Sequence, residues 1–249
     1  MIMIETENLG HRFSDGSWGL KEINLTINQG DLVVIAGPNG SGKTTLLKNL
    51  NGLLRATEGA VRLMGEPVTK NPKKLRLKVG MVFQDADSQI VGETVFDDAA
   101  FGPENMRLDH DEVNDRVRAA LATTGLEDLA LQRPHLLSGG EKRRLCIAGV
   151  LAMDPEVILF DEPFSNLDHP GTLGILQEIL KLKNAGRTMV IATHDVEKIL
   201  AYAHRLVIMD QGRVVKEGKP ADLLKCLERF GVREPCASRL GMELVPWLN

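Results

Sequence analysis

Aromatic residues are scarce, at 4% of 249 positions, and cysteine is scarcer still, with three. Cys146, Cys226 and Cys236 are odd in number and form no CxxC pair, so neither a disulfide framework nor a zinc site is suggested. Long apolar runs are also missing. The longest mostly apolar stretch, Cys146–Met153, falls far short of the roughly 18 residues that a spanning helix needs. Met1–Leu9 holds Glu5 and Glu7 and has no basic start leading into an apolar core, so no secretory signal is visible. Nor is there an excess of positive charge. Lys+Arg is 30 against Asp+Glu 34, a net charge of −4, which argues against general nucleic-acid binding. A reducing cytoplasm is the expected home, and any work at a membrane has to pass through a partner. What is present is 43% hydrophobic sequence. A chain of this length buries about 70–75% of its unfolded surface and needs no disulfide or structural metal to fold.

Leu32–Ala36, Val79–Phe83, Val157–Phe160, Met189–Ala192 and Leu206–Met209 are short apolar runs bounded by Gly, Asp or polar clusters. Such runs suit parallel strands covered on both faces. Helical patterns lie between them. Thr44–Leu50 follows one strand. Glu112–Thr123 places Val113, Val117, Ala120 and Leu121 on one face, with Asp109 and Glu112 as its capping box. Thr172–Asn184 turns Leu173, Leu176, Ile179 and Leu180 inward. Alternating strand and helix implies an α/β sheet with right-handed crossovers. Antiparallel sheet is attached to it. Ile23, Leu25 and Ile27 alternate with polar residues, and Asp210-Gln211-Gly212 is a hairpin turn between 207–209 and 213–216. Residues 86–153 are mostly helical and interrupt the strand series, and 220–249 form a short helical tail.

Gly37-Pro38-Asn39-Gly40-Ser41-Gly42-Lys43-Thr44 satisfies the pattern GxxxxGK followed by Ser or Thr, between an apolar strand and a helix. Glycines let the backbone amides turn inward as an anion nest, and the helix N-terminus adds positive potential. Lys43 supplies a point charge for the β- and γ-phosphates, and Thr44 a hydroxyl for Mg²⁺. By itself the loop fits kinases, GTPases and ATPases alike. Val157-Ile158-Leu159-Phe160-Asp161-Glu162 is an apolar strand ending in two carboxylates. The first can hold Mg²⁺ and the second can polarise an attacking water. No NKxD-type guanine-reading motif is found. A second helix opens on Leu137-Ser138-Gly139-Gly140-Glu141, where Ser138 and Glu141 form a capping box and the paired glycines leave amides open to an anion.

The ordered set of phosphate loop, Gln84, Leu137–Glu141, Asp161-Glu162, Ser165-Asn166-Leu167-Asp168 and His194 resembles the nucleotide-binding subunit of ATP-binding cassette (ABC) transporters, over roughly residues 3 to 230. The resemblance implies a P-loop NTPase cassette: a mixed sheet, an antiparallel β subdomain and an inserted α-helical subdomain. The ATP-binding core would span 1–85 and 154–219, the helical subdomain 86–153 and the tail 220–249. It implies that two cassettes pack head to tail, with ATP and Mg²⁺ between the phosphate loop of one and the LSGGE helix of the other. Gly37 to Lys43, Thr44 and Thr45 would hold the nucleotide in one copy. Ser138, Gly139 and Gly140 would reach the γ-phosphate from the second. Glu162 would act as general base and His194 would contact the γ-phosphate. Thr44, Gln84 and Asp161 would attend Mg²⁺, and Asp168 would couple the two sites. Phe13 stands where the family stacks an aromatic ring, often Tyr, on adenine. Glu141 replaces the commoner Gln, and His169 stands where Pro often follows.

The stretch Phe83–Val91, continuing through Thr94-Val95-Phe96-Asp97-Asp98 to Gly102-Pro103-Glu104-Asn105, resembles the ATPases of energy-coupling factor importers. Those importers take up cobalt, nickel, biotin and other vitamins. That resemblance implies a motor on the cytoplasmic face of the membrane. Its partners would be a second ATPase subunit, a transmembrane scaffold and a separate membrane subunit that selects the cargo. The alternatives are the ATPase of another ABC transporter type, a non-transport ABC ATPase of DNA repair or translation, and a phosphate-loop kinase. The basic groups Lys70, Lys73, Lys74, Arg76, Lys78 and Lys142, Arg143, Arg144 read as solvated faces.

Overall fold

The chain runs β1 (Ile2–Arg12), β2 (Trp18–Asn28), β3 (Leu32–Ala36), α1 (Lys43–Leu50), β4 (Glu58–Leu63), β5 (Glu66–Pro67), α2 (Pro72–Lys78), β6 (Val79–Val82), α3 (Val95–Asn105), α4 (His110–Thr124), α5 (Gly139–Ala152), β7 (Val157–Asp161), α6 (His169–Asn184), β8 (Thr188–Thr193), β9 (Arg205–Asp210), β10 (Arg213–Gly218), α7 (Pro220–Leu223) and α8 (Cys236–Arg239). The computed structural model describes residues 1–68 and 72–248, and the side chains of these apart from 72–74. Lys70 and the side chains of Lys73 and Lys74 therefore lie outside the described residues.

The apolar runs become one six-stranded sheet in the order β10-β9-β3-β8-β7-β6. Every pairing from β9 to β6 is parallel, and β10 joins antiparallel to β9. Gln211 and Gly212 take positive φ, at 44° and 76°, which is what a two-residue hairpin turn of matching twist requires. A second, antiparallel sheet has the order β2-β1-β4-β5.

Strand periodicity sends alternate side chains to opposite faces. Val33 and Ile35 meet Leu46, Leu47 and Leu50 of α1 and the inner face of the antiparallel sheet. Leu32, Val34 and Ala36 meet Ile175, Leu176 and Ile179 of α6 and Ile147 of α5. Each buried Val, Leu or Ile among them contributes roughly 1.5–3 kcal/mol relative to exposure. A third apolar group lies among α3, α4 and α5 and includes Val95, Val117, Leu121, Leu145 and Ala148. Helix α5 feeds both this group and the one under the sheet, with Cys146, Ile147 and Val150 on the sheet side. It thereby fixes the LSGGE segment relative to the strands.

Three details depart from the sequence reading. Asp109 caps α4 by accepting from the Glu112 amide at 2.9 Å, but Glu112 is held by Arg116 instead of returning to close a capping box. Helix α6 begins at His169, and its buried residues are Thr172, Ile175, Leu176, Glu178, Ile179 and Leu182; Leu180 packs half-buried against the same core, and Leu173 is half-buried. Arg143 is buried, not solvated, because its guanidinium is drawn onto the carbonyls of Phe83 and Gln84.

Candidate active site

The phosphate loop leaves the end of β3 and turns into α1 over a cleft of about 580 Å³. Phe13, Trp18, Lys21, Asn39 to Thr45, Gln84, Glu162, Gln211 and Gly212 line it. Gly42 takes φ +102°, a region costly to any residue with a Cβ, and caps α1 with no side-chain hydrogen bond. The first-turn amides of α1 therefore have no protein side chain answering them. A Cβ on Gly42 would lie 2.8 Å from the Gly19 carbonyl oxygen and 3.3 Å from the Gly212 Cα. The loop is thus clamped backbone to backbone between β2 and the β9–β10 turn. Gly212 N donates to Ser41 O at 2.9 Å across the same contact.

Gly37 and Pro38 stand behind the cleft, where their carbonyls accept from Lys43 Nζ at 2.7 and 3.1 Å. Burial pushes the Lys43 ammonium below its usual range, opposed first by Glu162 and then by Asp161. The ammonium lies 3.7 Å from Glu162 Oε1. Ser41 Oγ is buried with no hydrogen-bond partner among the described residues. An orphaned hydroxyl, a desolvated cation and uncapped amides at one helix start fit a polyphosphate. Phe13 is 42% exposed, stacks edge-on against His11, and rests over Gly19, where a Cβ would come within 2.7 Å of its ring. Its ring lines the cleft.

Asp161 ends β7 and Glu162 follows it. Thr44 donates through Oγ1 to Asp161 Oδ1 at 3.0 Å. Burial pushes the Asp161 carboxyl up, while the Thr44 bond opposes it. A paired hydroxyl and carboxylate beside a phosphate site are hard oxygen donors and fit Mg²⁺, which keeps several waters and takes one or two carboxylates plus substrate phosphates.

Glu162 sits in the left-handed region at φ 47° and is buried. Its amide donates to Ala192 O at 2.8 Å, which aims the side chain at the end of β8. There Oε1 accepts from the His194 amide at 3.0 Å and lies 2.9 Å from His194 Nδ1. Thr193 Oγ1 donates to Oε2 at 2.9 Å. The fold thus brings Lys43, Glu162 and His194 together from elements far apart in sequence.

Gln84 is exposed at the cleft wall. Helix α5 holds its loop through Arg143 to the Phe83 and Gln84 carbonyls and Lys142 to Asp87 at 2.6 Å. Burial lowers the Arg143 pKa, opposed by several neighbouring acidic groups. Ser138, Gly139 and Gly140 do not line the first cleft. They line a second one of about 410 Å³ with Glu141, Arg144, Asn166 and Asp168 among its walls. Ser138 Oγ accepts from Glu141 N at 3.3 Å, and Glu141 Oε2 accepts from Ser138 N at 2.7 Å. That contact holds the Glu141 carboxyl below its ordinary range.

Sequence reasoning missed Trp18, Lys21, Gln211, Thr193 and Arg144. Thr193 carried a signal in the chain, a hydroxyl residue next to His194 at the end of an apolar strand. The others reach their clefts only through tertiary packing.

A family model described as ABC transporter matches residues 20–165. The Energy-coupling factor transporter ATP-binding protein EcfA of Methanocaldococcus jannaschii is 43% identical over 231 residues, 92% of this chain and 83% of that protein. Its counterpart in Carboxydothermus hydrogenoformans is 41% identical over 242 residues, 96% of this chain and 90% of its own length. Among solved structures, cbiO1 from Clostridium perfringens, described as part of the ABC transporter complex cbiONQ, superposes with a TM-score of 0.83 at 36% identity, covering 96% of this chain and 97% of its own. An ATP-binding cassette solved as a dimer in a post-hydrolysis state with ADP and Pi gives 0.78 at 30% identity, over 88% and 99%. The chain belongs to the ABC transporter family and is an ATPase of the energy-coupling factor type.

Proposed function

We propose that this ATPase drives uptake of a metal ion or vitamin through a membrane complex, by clasping MgATP between two cassettes. Its core would be 1–85 with 154–219, its helical subdomain 86–153 and its tail 220–249. The observation that carries the reading is the separation of two phosphate-ready helix starts. Lys43 and the loop amides face one cleft, while Ser138 to Gly140 face another on the same chain, with Ser138 exposed. Each copy then supplies the half its twin lacks. The solved dimer holding ADP and Pi supports this arrangement.

In this mechanism Asn39 to Thr45 hold the phosphates, with Gly37 and Pro38 anchoring Lys43 behind them, and Phe13 covers the base. Thr44, Asp161 and Gln84 would attend Mg²⁺, which neutralises charge developing on the phosphates. Glu162 takes a proton from the water that attacks the γ-phosphorus as the bond to ADP breaks. His194 turns from Glu162 to the γ-phosphate, freeing the carboxylate for that task. Ser138, Gly139 and Gly140 of the second copy close on the same phosphate. Binding both halves at once is possible only in the closed pair, so ATP favours closure and its hydrolysis reopens the pair.

No helix among the described residues is long and apolar enough to cross a membrane. The cargo path therefore belongs to partners, a transmembrane scaffold and a substrate-binding subunit, with this chain on the cytoplasmic face. The relatives' names support that placement. The test uses Glu162→Gln with ATP and Mg²⁺. Its mass by light scattering should double while turnover falls by about 10²–10⁴-fold. A variant that stays monomeric with bound ATP, or hydrolyses at the wild-type rate, would sink the proposal.

A further inference from the structure

Residues 236–248 lie against the segment that follows His194, and the contacts are specific. The Cys236 amide donates to Glu197 Oε2 at 2.8 Å. The Leu248 amide donates to Tyr202 Oη at 2.7 Å, and the Tyr202 hydroxyl donates to Leu248 O at 3.2 Å. Between these two ties the Trp247 ring centroid lies 6.0 Å from Lys198 Nζ. The same ring meets the His169 imidazole at 5.3 Å between centroids, tilted by 59°. Leu244, Trp247 and Leu248 pack against the apolar group beneath α6.

Both neighbours of Trp247 lead to a cleft. Lys198 pairs with Asp195, whose amide donates to Thr193 Oγ1 at 3.1 Å, and Thr193 in turn holds Glu162. His169 opens α6 directly after Asp168, which caps that helix by accepting from Gly171 N at 2.9 Å and lines the second cleft. One indole therefore contacts Lys198, whose partner Asp195 braces the Thr193 that holds Glu162, and His169, which sits between the cleft-lining Asp168 and Pro170. One segment opens α6, the other follows β8, and the tail contacts both.

We propose that Trp247 is a positioning residue for hydrolysis: it locks the Asp168–His169 turn to the segment behind His194, so that closure on the second cleft aligns Glu162 in the first. The inference rests on the two-cassette reading above. An indole suits this task because one rigid ring can contact a cation and an imidazole together, with little rotamer entropy to lose.

The test compares Trp247→Ala and Trp247→Phe in the full-length protein by steady-state ATP hydrolysis and thermal melting. Misalignment without loss of nucleotide contacts should lower kcat by about three- to tenfold and leave KM within about twofold. The melting temperature should stay within about 4 °C. Trp247→Phe keeps a ring between Lys198 and His169 and should recover most of kcat. Lys198→Met, made from the opposite side, should show the same split of kcat from KM, and should add little when combined with Trp247→Ala. This partner variant also keeps the test open if Trp247→Ala fails to fold. Wild-type kcat in Trp247→Ala would overturn the inference. So would a loss that tracks the melting temperature and is not recovered by Phe. Failure of the wild-type protein to hydrolyse ATP would instead take down the functional reading and this inference with it.

Discussion

The two phosphate-ready clefts use the same physics with opposite finishing. Helix α1 starts at Gly42 with no side chain on its amides, and it brings a buried lysine. Helix α5 starts at Ser138 with its capping box complete, and the carboxylate of Glu141 already sits at its positive end. An anion arriving at α1 meets unsatisfied donors. One arriving at α5 meets a terminus partly neutralised by its own residues, where a carboxylate offsets typically 0.3–1 kcal/mol of helix-end attraction. On the proposed two-cassette mechanism, the difference implies an order of events: nucleotide would settle first on the phosphate loop, and the LSGGE helix would engage only when a second cassette delivers it.

That comparison can be broken most severely at its stronger side. Lys43→Ala removes the desolvated ammonium and should cut kcat/KM by about 10²–10³-fold, with nucleotide binding measured by calorimetry falling in parallel. Gly140→Asp attacks the weaker side. Its Cβ would lie 3.3 Å from Gly171 Cα, and its charge would face the incoming phosphate. ATP should still bind the phosphate loop within about threefold of wild type, while turnover drops by about 10–100-fold. Equal losses in binding and turnover would show that the two clefts are not separate half-sites.

Smaller changes sharpen the contrast. Thr193→Val keeps the shape but removes the donor to Glu162 Oε2, and should lower kcat about three- to tenfold with about 0.5–1.5 kcal/mol of stability lost. Thr193→Ser should restore both. Glu141→Gln keeps a capping side chain and removes its charge. KM for ATP should fall by about twofold, and the gain should shrink as salt is raised. The Ser138 amide holds the Glu141 carboxyl below its ordinary range in the folded chain. Its contribution to stability is therefore present above the ordinary carboxylate pKa and lost as pH falls through the lower, folded value. Thermal melts on the acid side should show a slightly steeper fall for wild type than for Glu141→Gln. The group is largely exposed, so this is the smallest effect of the series.

Much of the architecture was legible because it rests on local rules. The fully apolar runs became parallel strands, and the alternating Ile23, Leu25 and Ile27 became a half-exposed antiparallel one. The Asp210-Gln211-Gly212 turn closed the expected hairpin, and Ser138 with Glu141 closed a capping box. The motifs Gly37–Thr44 and Asp161-Glu162 proved to be neighbours, joined by the Thr44 to Asp161 bond. The misreadings have different causes. Arg143 in a basic triplet looks solvated until its guanidinium finds two carbonyls from a loop 60 and 59 residues away. The stripe of α6 is set by which side meets the sheet, not by where its leucines fall. Glu112 was claimed by Arg116, an i,i+4 competitor that pattern reading did not weigh.

By itself the chain determined its elements, its phosphate loop and the charged pair that ends β7, because strand burial, helix capping and anion nests follow from residues a few positions apart. Only the tertiary structure decided that Glu162 is held by Thr193 and His194, that Gly19, Gly42 and Gly212 meet backbone to backbone, and that Trp247 touches both His169 and Lys198. Those contacts join residues from distant strands and the tail. Their partners are selected by shape and charge after the layers have packed, which no local pattern encodes.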